Sequence, residues 1–404
     1  MIKTTLEDIY KPFKIFGILM VIPLGAGLGL SSLLMTLFLI IDLIYAVYAI
    51  YILGKRVETS IFLAELLVFF WIILVFIIFG FEGAERIVQY SCIVMTLYVT
   101  STFRLSERDF RFIGRVIQLQ LLLYILWWPL SGFTTNYYTA FYIHSNFLGN
   151  MLFHSIVVLL IVFKKTRKRS FLASVFVALP VLIVANSRSS IIALLIFLVS
   201  YWLLNVMKYK NAKRTYLLLL IGSVCLVIGF TIIYPILYGS DIGITLELLS
   251  RKYFNKNFFS GREVIWSNME EQIMTSPIVG LGLDKEPGYY YNTSYSSHNL
   301  WLQLALQMGI TGLILMAIFL LVVQYRIAKG DNPLWRISVS FFIALIFHEC
   351  FEVSLTQNNL AVGLISWLIF GIMLSERRTA WEQERQKSIS PKLIYEREHI
   401  KQKI

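Results

Sequence analysis

Two apolar runs decide the fold of this chain: TYLLLLIGSVCLVIGFTIIYP at residues 215–235 and NLWLQLALQMGITGLILMAIFLLVVQY at residues 299–325. Each is long enough to cross a bilayer, because about 20 apolar residues span the hydrocarbon core as a helix. The segment 236–298 between them is polar and carries Arg262 and His298. Polar and ionisable groups at a membrane boundary are costly and usually functional. We therefore expect the chemistry of the protein in this segment.

The composition extends the membrane interpretation to the whole chain. Of the 404 residues, 57% are hydrophobic and only 15% are charged, whereas about 25% are charged in soluble proteins. We therefore predict an all-α, polytopic integral membrane protein. The net charge of +12 does not indicate a nucleic-acid partner, since the basic residues fall in short segments between apolar runs.

Twelve apolar windows predict twelve transmembrane helices. They lie at residues 13–31, 33–53, 61–80, 87–103, 112–130, 146–163, 171–186, 190–206, 215–235, 299–325, 334–351 and 359–375. We accordingly predict a twelve-span membrane domain over residues 1–375. A charged tail follows over 376–404, either as a helix or partly disordered.

Charge predicts the orientation of these spans. Lys and Arg concentrate in alternate connecting segments, such as 164–169 and 208–214, and are scarce in the others. Basic loops stay on the cytoplasmic side of a membrane. The pattern predicts a multi-pass protein of the cytoplasmic membrane with both termini cytoplasmic and the large loop 236–298 extracytoplasmic, packed over the ends of the spans.

Arg262 is the first candidate for binding an anion. Ser260 and Glu263 have the spacing of a capping box, which predicts a helix to about Met274. Arg262 would lie in its first turn, where free N–H groups and the helix dipole attract anions. The alternative is a solvated arginine beside an ordinary cap. This helix also has an apolar face that we expect to lie on the membrane surface, formed by Trp266, Met269 and Ile273.

Arg188 is the second candidate. It lies between two predicted spans, in the Ser-rich turn 186–190 on the predicted outer side. A guanidinium binds phosphate oxygens through two parallel hydrogen bonds. The alternative is an arginine whose charged end reaches the lipid headgroups.

His298 is the candidate base. It opens the tenth predicted span, and Asn299, Gln303 and Gln307 follow it at helical spacing. Such a polar stripe faces protein or a water-filled cavity rather than lipid. A neutral histidine, with an unperturbed pKa of about 6.5, suits proton abstraction from a hydroxyl. The alternative is a structural histidine at the interface.

Supporting residues come from two other outer segments. His144, Ser145 and Asn146 open the sixth predicted span. They either line the same cavity, or Ser145 or Asn146 caps the helix. Glu352, close after His348 and Glu349, either orients an acceptor molecule or pairs with an outer arginine.

The sequence shows no pattern typical of a metal or cofactor site. It lacks HExxH, a phosphate-binding Gly-rich loop and Asp-x-Asp, and its three cysteines suit neither a disulfide framework nor a zinc site. We expect neither a cofactor nor a metal.

Several of these motifs, taken in order, resemble the O-antigen polymerase and O-antigen ligase family of bacterial surface-polysaccharide synthesis. The resemblance covers roughly residues 140–325 and depends on the order of the motifs rather than on one of them. The matching segments are His144-Ser145-Asn146, Ser187-Arg188-Ser189, Gly261-Arg262 with Trp266, Ser276–Gly282, His298-Asn299 with Leu302, and Gly309–Gly312.

The resemblance implies the fold of lipid-dependent glycosyltransferases (GT-C-like) and metal-independent transfer of a glycan from undecaprenyl diphosphate. It implies that Arg188 and Arg262 bind the diphosphate and that His298 acts on the acceptor. We favour a polysaccharide polymerase for capsule, exopolysaccharide or O-antigen, because no feature indicates a lipid A core site. The expected partners are undecaprenyl-diphosphate-linked glycans, membrane lipid, and other assembly proteins such as a flippase or a chain-length regulator.

Three alternatives remain open at this point. An O-antigen ligase would transfer the glycan to lipid A core instead of to a second repeat unit. A flippase or transporter for the same lipid would need charged residues along a transmembrane path and pseudo-symmetric halves. A non-catalytic scaffold would have no need of one His and two Arg on one side of the membrane.

Overall fold

The structure, a computed structural model, describes residues 5–55, 58–254, 257–287, 296–329, 332 and 334–401. Within these ranges the regular elements are all helical. They are α1 (Leu6–Phe16), a π-helical turn (Gly17–Val21), α2 (Ile22–Gly27), α3 (Ser31–Tyr51), α4 (Thr59–Phe79), α5 (Ala84–Thr102), α6 (Glu107–Trp127), α7 (Ser145–Thr166), α8 (Arg169–Ala185), α9 (Arg188–Val206), α10 (Tyr209–Leu237), α11 (Asp241–Phe254), α12 (Arg262–Thr275), α13 (Leu300–Ala328), α14 (Trp335–His348) and α15 (Leu360–Lys401), with short 3₁₀ turns at Phe81–Gly83 and Pro129–Ser131.

The lengths and compositions of the helices are those expected of a polytopic membrane protein. Nine helical stretches of the described chain are long and apolar enough to cross a bilayer, and α8 and α14 are shorter apolar helices. Every predicted span coincides with a helix, although α5 is less apolar than the others. The multi-pass, all-helical prediction is confirmed, while the number of twelve crossings stays a prediction.

The first span begins earlier than the apolar window 13–31 indicated. The helical stretch starts at Leu6, because the charges that argued against it are neutralised inside the fold. Lys14 is only 1% exposed and forms an ion pair with Asp42 of α3. Tyr10 also donates a hydrogen bond to Asp42. Asp42 thus has the partner that its position inside a span requires.

Burial distinguishes the centre of the bundle from its rim. Within their most apolar windows, 94% of Leu360–Trp381 and 78% of α7 are buried, compared with 17% of α10. Helices α7 and α15 therefore form the interior, and α10 lies at the edge. Apolar side chains such as Leu218 and Ile228 of α10 are exposed, as expected for a surface that faces lipid tails.

A kink divides the predicted span 299–325. Gly309 in α13 has φ +68° and ψ 178°, which is not helical. The segment after α12 crosses the helix here, since the Ile310 N–H donates to the Pro277 carbonyl at 2.7 Å. A Cβ on Gly309 would lie 2.2 Å from the Ile278 oxygen, and one on Gly280 would lie 2.5 Å from the Gly309 nitrogen. Both glycines are therefore needed for this close crossing.

Candidate active site

A cavity of about 1320 Å³ lies where several helices end on one side of the bundle. The starts of α7, α9 and α12, the ends of α10 and α14, and the residues before α13 and α15 surround it. Six of the candidate side chains line it: His144, Asn146, Arg188, Arg262, His298 and Glu352. The structure thus brings together residues that are up to 208 positions apart, counted from His144 to Glu352 (352 − 144).

Arg262 is the first residue of α12, but the helix does not begin with the predicted capping box. Gly261, with φ +87°, is the residue before the helix, and the Ser260 side chain does not cap it. Only the second half of the motif forms, because the Glu263 carboxylate accepts the N–H of Ser260 at 3.2 Å and that of Gly261 at 3.1 Å. The left-handed conformation, which favours glycine, directs the chain so that Arg262 begins the helix at the cavity.

The apolar face of α12 packs against protein, so the prediction that it lies on the membrane surface is wrong. Trp266 and Met269 are completely buried, in a cluster with Tyr234 of α10 and Leu306 of α13. The indole N–H of Trp266 also donates to the Ser297 carbonyl at 2.8 Å. This bond couples the helix that carries Arg262 to the residue next to His298.

Arg262 is held over an aromatic ring. Its guanidinium carbon lies 5.8 Å from the centre of the Phe351 ring, a cation–π contact. Burial lowers the pKa of Arg262, the charge of Glu352 counteracts this, and that of Arg188 adds to it. Because the pKa of an arginine is ordinarily far above neutral, Arg262 remains charged at neutral pH. The site therefore keeps a partly desolvated cation at the cavity wall.

Arg188 is the first residue of α9, so the helix begins two residues before the predicted span 190–206 and includes an arginine that was predicted to lie in the turn. Its side chain is exposed and donates from Nη1 to the Asn257 carbonyl at 3.2 Å. Arg188 and Arg262 line the same cavity, and the charge of Arg188 contributes to lowering the pKa of Arg262. Two like charges in one cavity are unfavourable unless an anion binds between them.

His298 has a constrained backbone and a perturbed imidazole. Its φ is +47°, a left-handed conformation that histidine adopts more readily than most residues but that still costs energy. Burial, followed by the charges of Arg262 and His144, lowers the pKa of His298 to about 4. The imidazole is 39% exposed, and its Nδ1 lies 4.0 Å from Glu352 Oε2. At neutral pH it is therefore an uncharged base with a carboxylate close to one ring nitrogen.

Asn299 supports this site without lining the cavity. It is the residue before α13, and its side-chain oxygen accepts the N–H of Trp301 at 3.0 Å and of Leu302 at 3.2 Å. It is completely buried, and its Nδ2 donates to Thr231 of α10 at 3.3 Å. Its role is to fix the helix start, which positions the adjacent His298.

The polar stripe that follows Asn299 faces protein, which is one of the two environments that the sequence predicted for it. Gln303 and Gln307 both donate from Nε2 to the Lys285 carbonyl, at 2.9 and 3.0 Å. Gln307 also exchanges hydrogen bonds with Gln357, before α15. These bonds hold the loop after α12 and the segment before α15 against α13.

Glu352 is a nearly buried carboxyl at the cavity wall. It is 2% exposed, burial raises its pKa, and Oε1 lacks a hydrogen-bond partner among the described residues. Its neighbour Glu349 has a structural role instead, because it accepts the N–H of Ser354 at 3.0 Å and of Leu355 at 3.2 Å. The two predicted roles of Glu352 are thus not exclusive, since it lies near both Arg262 and His298.

His144 and Asn146 also line the cavity. The residue before α7 is His144 itself, and no side chain caps this helix. The alternative that Ser145 or Asn146 caps the helix is therefore wrong, and both His144 and Asn146 remain available to the cavity.

Three further cavity residues were missed by the sequence analysis. Phe351 supports Arg262, while Asn358 and Asn359 line the cavity just before α15. Asn358 donates to the Ser296 hydroxyl at 3.0 Å and thereby braces the His298 segment. An Asn-Asn pair directly before an apolar run was a usable signal, analogous to His298-Asn299 before α13.

The candidate site offers two cations, the uncharged imidazole of His298, a second histidine and a carboxyl in a cavity at the end of a helical bundle. Among the described residues, no group of three or more His, Cys, Asp or Glu is placed to bind a metal ion. The arrangement suits a ligand with a strong anionic group and a neutral polar part from which a proton is removed.

The comparisons with known proteins find one family model that matches part of the chain. No curated protein sequence matches the chain. The family model described as Wzy_C, O-antigen ligase, matches residues 173–317, which include Arg188, Arg262 and His298. His144, Asn146 and Glu352 lie outside the matched segment. Residues 173–317 are therefore similar to the O-antigen ligase family, which agrees with the resemblance that the order of the motifs indicated.

Proposed function

We propose that the protein is a polysaccharide polymerase that joins oligosaccharide repeat units linked to undecaprenyl diphosphate. The observation that carries this proposal is the placement of Arg188, Arg262 and His298 on one cavity of about 1320 Å³. That volume accommodates a diphosphate and several sugar rings, since pockets for single drug-sized molecules measure about 300–1,000 Å³.

In the proposed reaction, His298 takes the proton from a hydroxyl group of the acceptor sugar. The hydroxyl oxygen attacks the anomeric carbon of the donor, and the bond between that carbon and the diphosphate oxygen breaks. Undecaprenyl diphosphate leaves with the bonding electrons, and the anomeric configuration inverts because the displacement is direct.

Arg188 and Arg262 would stabilise the leaving diphosphate. Charge develops on the diphosphate as the glycosidic bond breaks, so cations already in position lower the barrier. The bound diphosphate would also offset their repulsion. Its negative charge would raise the pKa of His298 from about 4 and so strengthen the base when the donor is present.

A purified reaction distinguishes polymerase from ligase. The protein is incubated in detergent with a single lipid-linked repeat unit, and the products are separated by length. A ladder of products supports the polymerase. The absence of products without lipid A core, with a single transfer when lipid A core is added, supports the ligase.

A flippase for the same lipid is the rival from another class. It requires polar residues along a path across the membrane, whereas the candidate residues lie around one cavity at one end of the bundle. Transport assays with a fluorescent lipid-linked glycan test this alternative directly. Movement across vesicles without any glycosyl transfer would contradict the enzymatic proposal.

We further propose that the cavity faces the extracytoplasmic side of the cytoplasmic membrane and that both termini are cytoplasmic. Cysteine introduced at exposed Lys168 should then be protected from membrane-impermeant thiol reagents in intact cells, and cysteine at exposed Asn257 should be labelled. Replacement of exposed Cys225 by Ser removes a native reactive site. The opposite labelling pattern would reverse the assignment.

Chelation should leave the activity intact. The sequence lacks a metal-binding motif, and guanidinium groups would neutralise the diphosphate as divalent cations do elsewhere. Product formation is compared with and without excess EDTA. Abolition by EDTA with recovery on addition of Mg²⁺ or Mn²⁺ would contradict the two-arginine mechanism and shift attention to the carboxyls of Glu349 and Glu352.

The loss of kcat/KM at acidic pH should occur at a pH well below the range in which a histidine usually titrates. Because the pKa of His298 is lowered to about 4, its basic form persists from high pH down to that value and is lost below it. We expect kcat/KM, which reports groups of the free enzyme, to fall only as the pH drops through about 4. Half-loss near pH 6.5 would contradict this assignment.

Glu352→Gln identifies the group responsible for that loss at acidic pH, since the pKa of Glu352 is raised. If His298 produces the loss, the variant retains it. If the loss disappears in this variant, it belongs to Glu352.

A further inference from the structure

Helix α11 has an exposed apolar stripe in a part of the chain that crosses no membrane. Ile242, Leu246, Leu249 and Tyr253 are spaced by four, three and four residues, which places them on one side of a helix. Ile242 is 65%, Leu249 44% and Tyr253 68% exposed. Apolar exposure is expected on spans, which lipid tails cover, but α11 is outside them and its stripe needs another partner.

A different side of α11 packs against the protein. Arg251 lies half a turn away from Ile242 and forms an ion pair with Glu247 at 2.8 Å. Glu247 also accepts the N–H of Phe258 at 2.7 Å and of Phe259 at 3.1 Å. Ser250, which lies between Leu246 and Glu247 around the helix, lines the cavity. The side of α11 that carries Glu247 and Ser250 is thus held against the protein, while Ile244 and Leu248, 53% and 62% exposed, extend the exposed apolar surface beyond the stripe.

The position of α11 indicates which partner covers the stripe. Helix α10 ends at Leu237 with Ile233 and Ile236 exposed on its lipid-facing surface. Only Tyr238, Gly239 and Ser240 separate the two helices, and the Ser240 hydroxyl accepts the Gly243 N–H at 3.1 Å. A Cβ on Gly243 would lie 1.9 Å from the Leu237 oxygen, so α11 starts in contact with the end of a membrane span.

We propose that α11 is an interfacial helix whose stripe of Ile242, Leu246, Leu249 and Tyr253 inserts into the membrane leaflet on the cavity side. An amphipathic helix that starts at the end of a span lies in the plane of the interface, with its apolar face about 5–10 Å into the headgroup region. Exposed Arg251 and Lys252 near its end suit a negatively charged headgroup layer. The lipid surface therefore continues from α10 onto α11.

This insertion would fix the depth of the anion site relative to the membrane. Glu247 binds the segment that contains Phe258 and Phe259, and the same segment accepts a hydrogen bond from Arg188 through the Asn257 carbonyl. A helix anchored in the interface would hold Arg188 at the level of lipid phosphates. The inference concerns membrane contact and does not depend on the proposed glycosyl transfer.

Site-directed fluorescence tests the proposal. Ile242→Cys, Leu249→Cys and the matched control Arg251→Cys are made in a background with Cys225→Ser, labelled with an environment-sensitive dye, and reconstituted into vesicles of phosphatidylethanolamine and phosphatidylglycerol. We expect blue-shifted emission and quenching by lipids brominated on their acyl chains at positions 242 and 249. At position 251 we expect quenching by aqueous iodide instead.

Two outcomes would overturn the proposal. Iodide quenching at 242 and 249 equal to that at 251 would show that the stripe remains in water. Protection from both iodide and brominated lipid would show that protein, such as a second copy of the chain, covers the stripe. All three positions are exposed, so the variants should fold, and size-exclusion chromatography verifies this before labelling.

Discussion

His298→Ala should stop polymer formation while the protein still inserts into the membrane and still binds its lipid-linked donor. The imidazole is a neutral base at the wall of the cavity, near Arg262 and Glu352. A general base contributes about 10²–10⁴ in rate, so we expect a loss of that size in product formation from purified protein. Donor binding, measured by thermal stabilisation of the variant in detergent, should persist because both arginines remain.

His298→Gln separates proton transfer from positioning. Glutamine offers hydrogen bonds of similar reach but cannot take a proton at neutral pH. It should therefore be nearly as inactive as His298→Ala. Near-normal turnover of His298→Gln would mean that His298 only positions the acceptor, and the search for a base would move to His144 or Glu352.

The sequence predicted most of the helices because their signal is local. Apolar windows of about 20 residues reported the spans directly, and the helix found at each window confirms this. What it could not predict was the break at Gly309, since the backbone there is set by the crossing segment Ile278–Gly280. Glycine in an apolar run does not by itself distinguish a flexible helix position from a close approach of two backbones.

In the candidate site, too, single residues could be predicted from the sequence, whereas the contacts between distant residues could not. Arg262 and His298 were identifiable because charge at a membrane boundary is conspicuous. The Phe351 ring beneath Arg262 and the 4.0 Å approach of Glu352 to His298 depend on residues 54–89 positions away and on how α12, α13 and α14 pack. The predicted position of α12 on the membrane surface was wrong, because an apolar helix face suits a protein core as well as a membrane surface.

Arg188→Lys and Arg262→Lys should each lower the rate of polymer formation by about 10²–10³, the usual cost of losing one preorganised donor to developing negative charge. Lysine keeps the charge but loses the planar pair of donors that binds two phosphate oxygens at once. Arg262→Lys also weakens the contact with Phe351, which lies 5.8 Å from the guanidinium. We therefore expect Arg262→Lys to be the more damaging of the two, as measured by initial rates over a range of donor concentrations.

The matched control is Arg251→Lys, which makes the same substitution on exposed α11, where the native side chain forms an ion pair with Glu247 and does not line the cavity. It should retain its rate, since an exposed pair of this kind contributes about 0.3–0.5 kcal/mol. If the donor is held by a two-arginine clamp, the double variant Arg188→Lys/Arg262→Lys should lose less than the product of the single effects, because both residues act on one diphosphate. Full activity of both single variants, with Arg251→Lys behaving identically, would contradict the two-arginine clamp, because it would show that the paired donors of a guanidinium are not needed at either position.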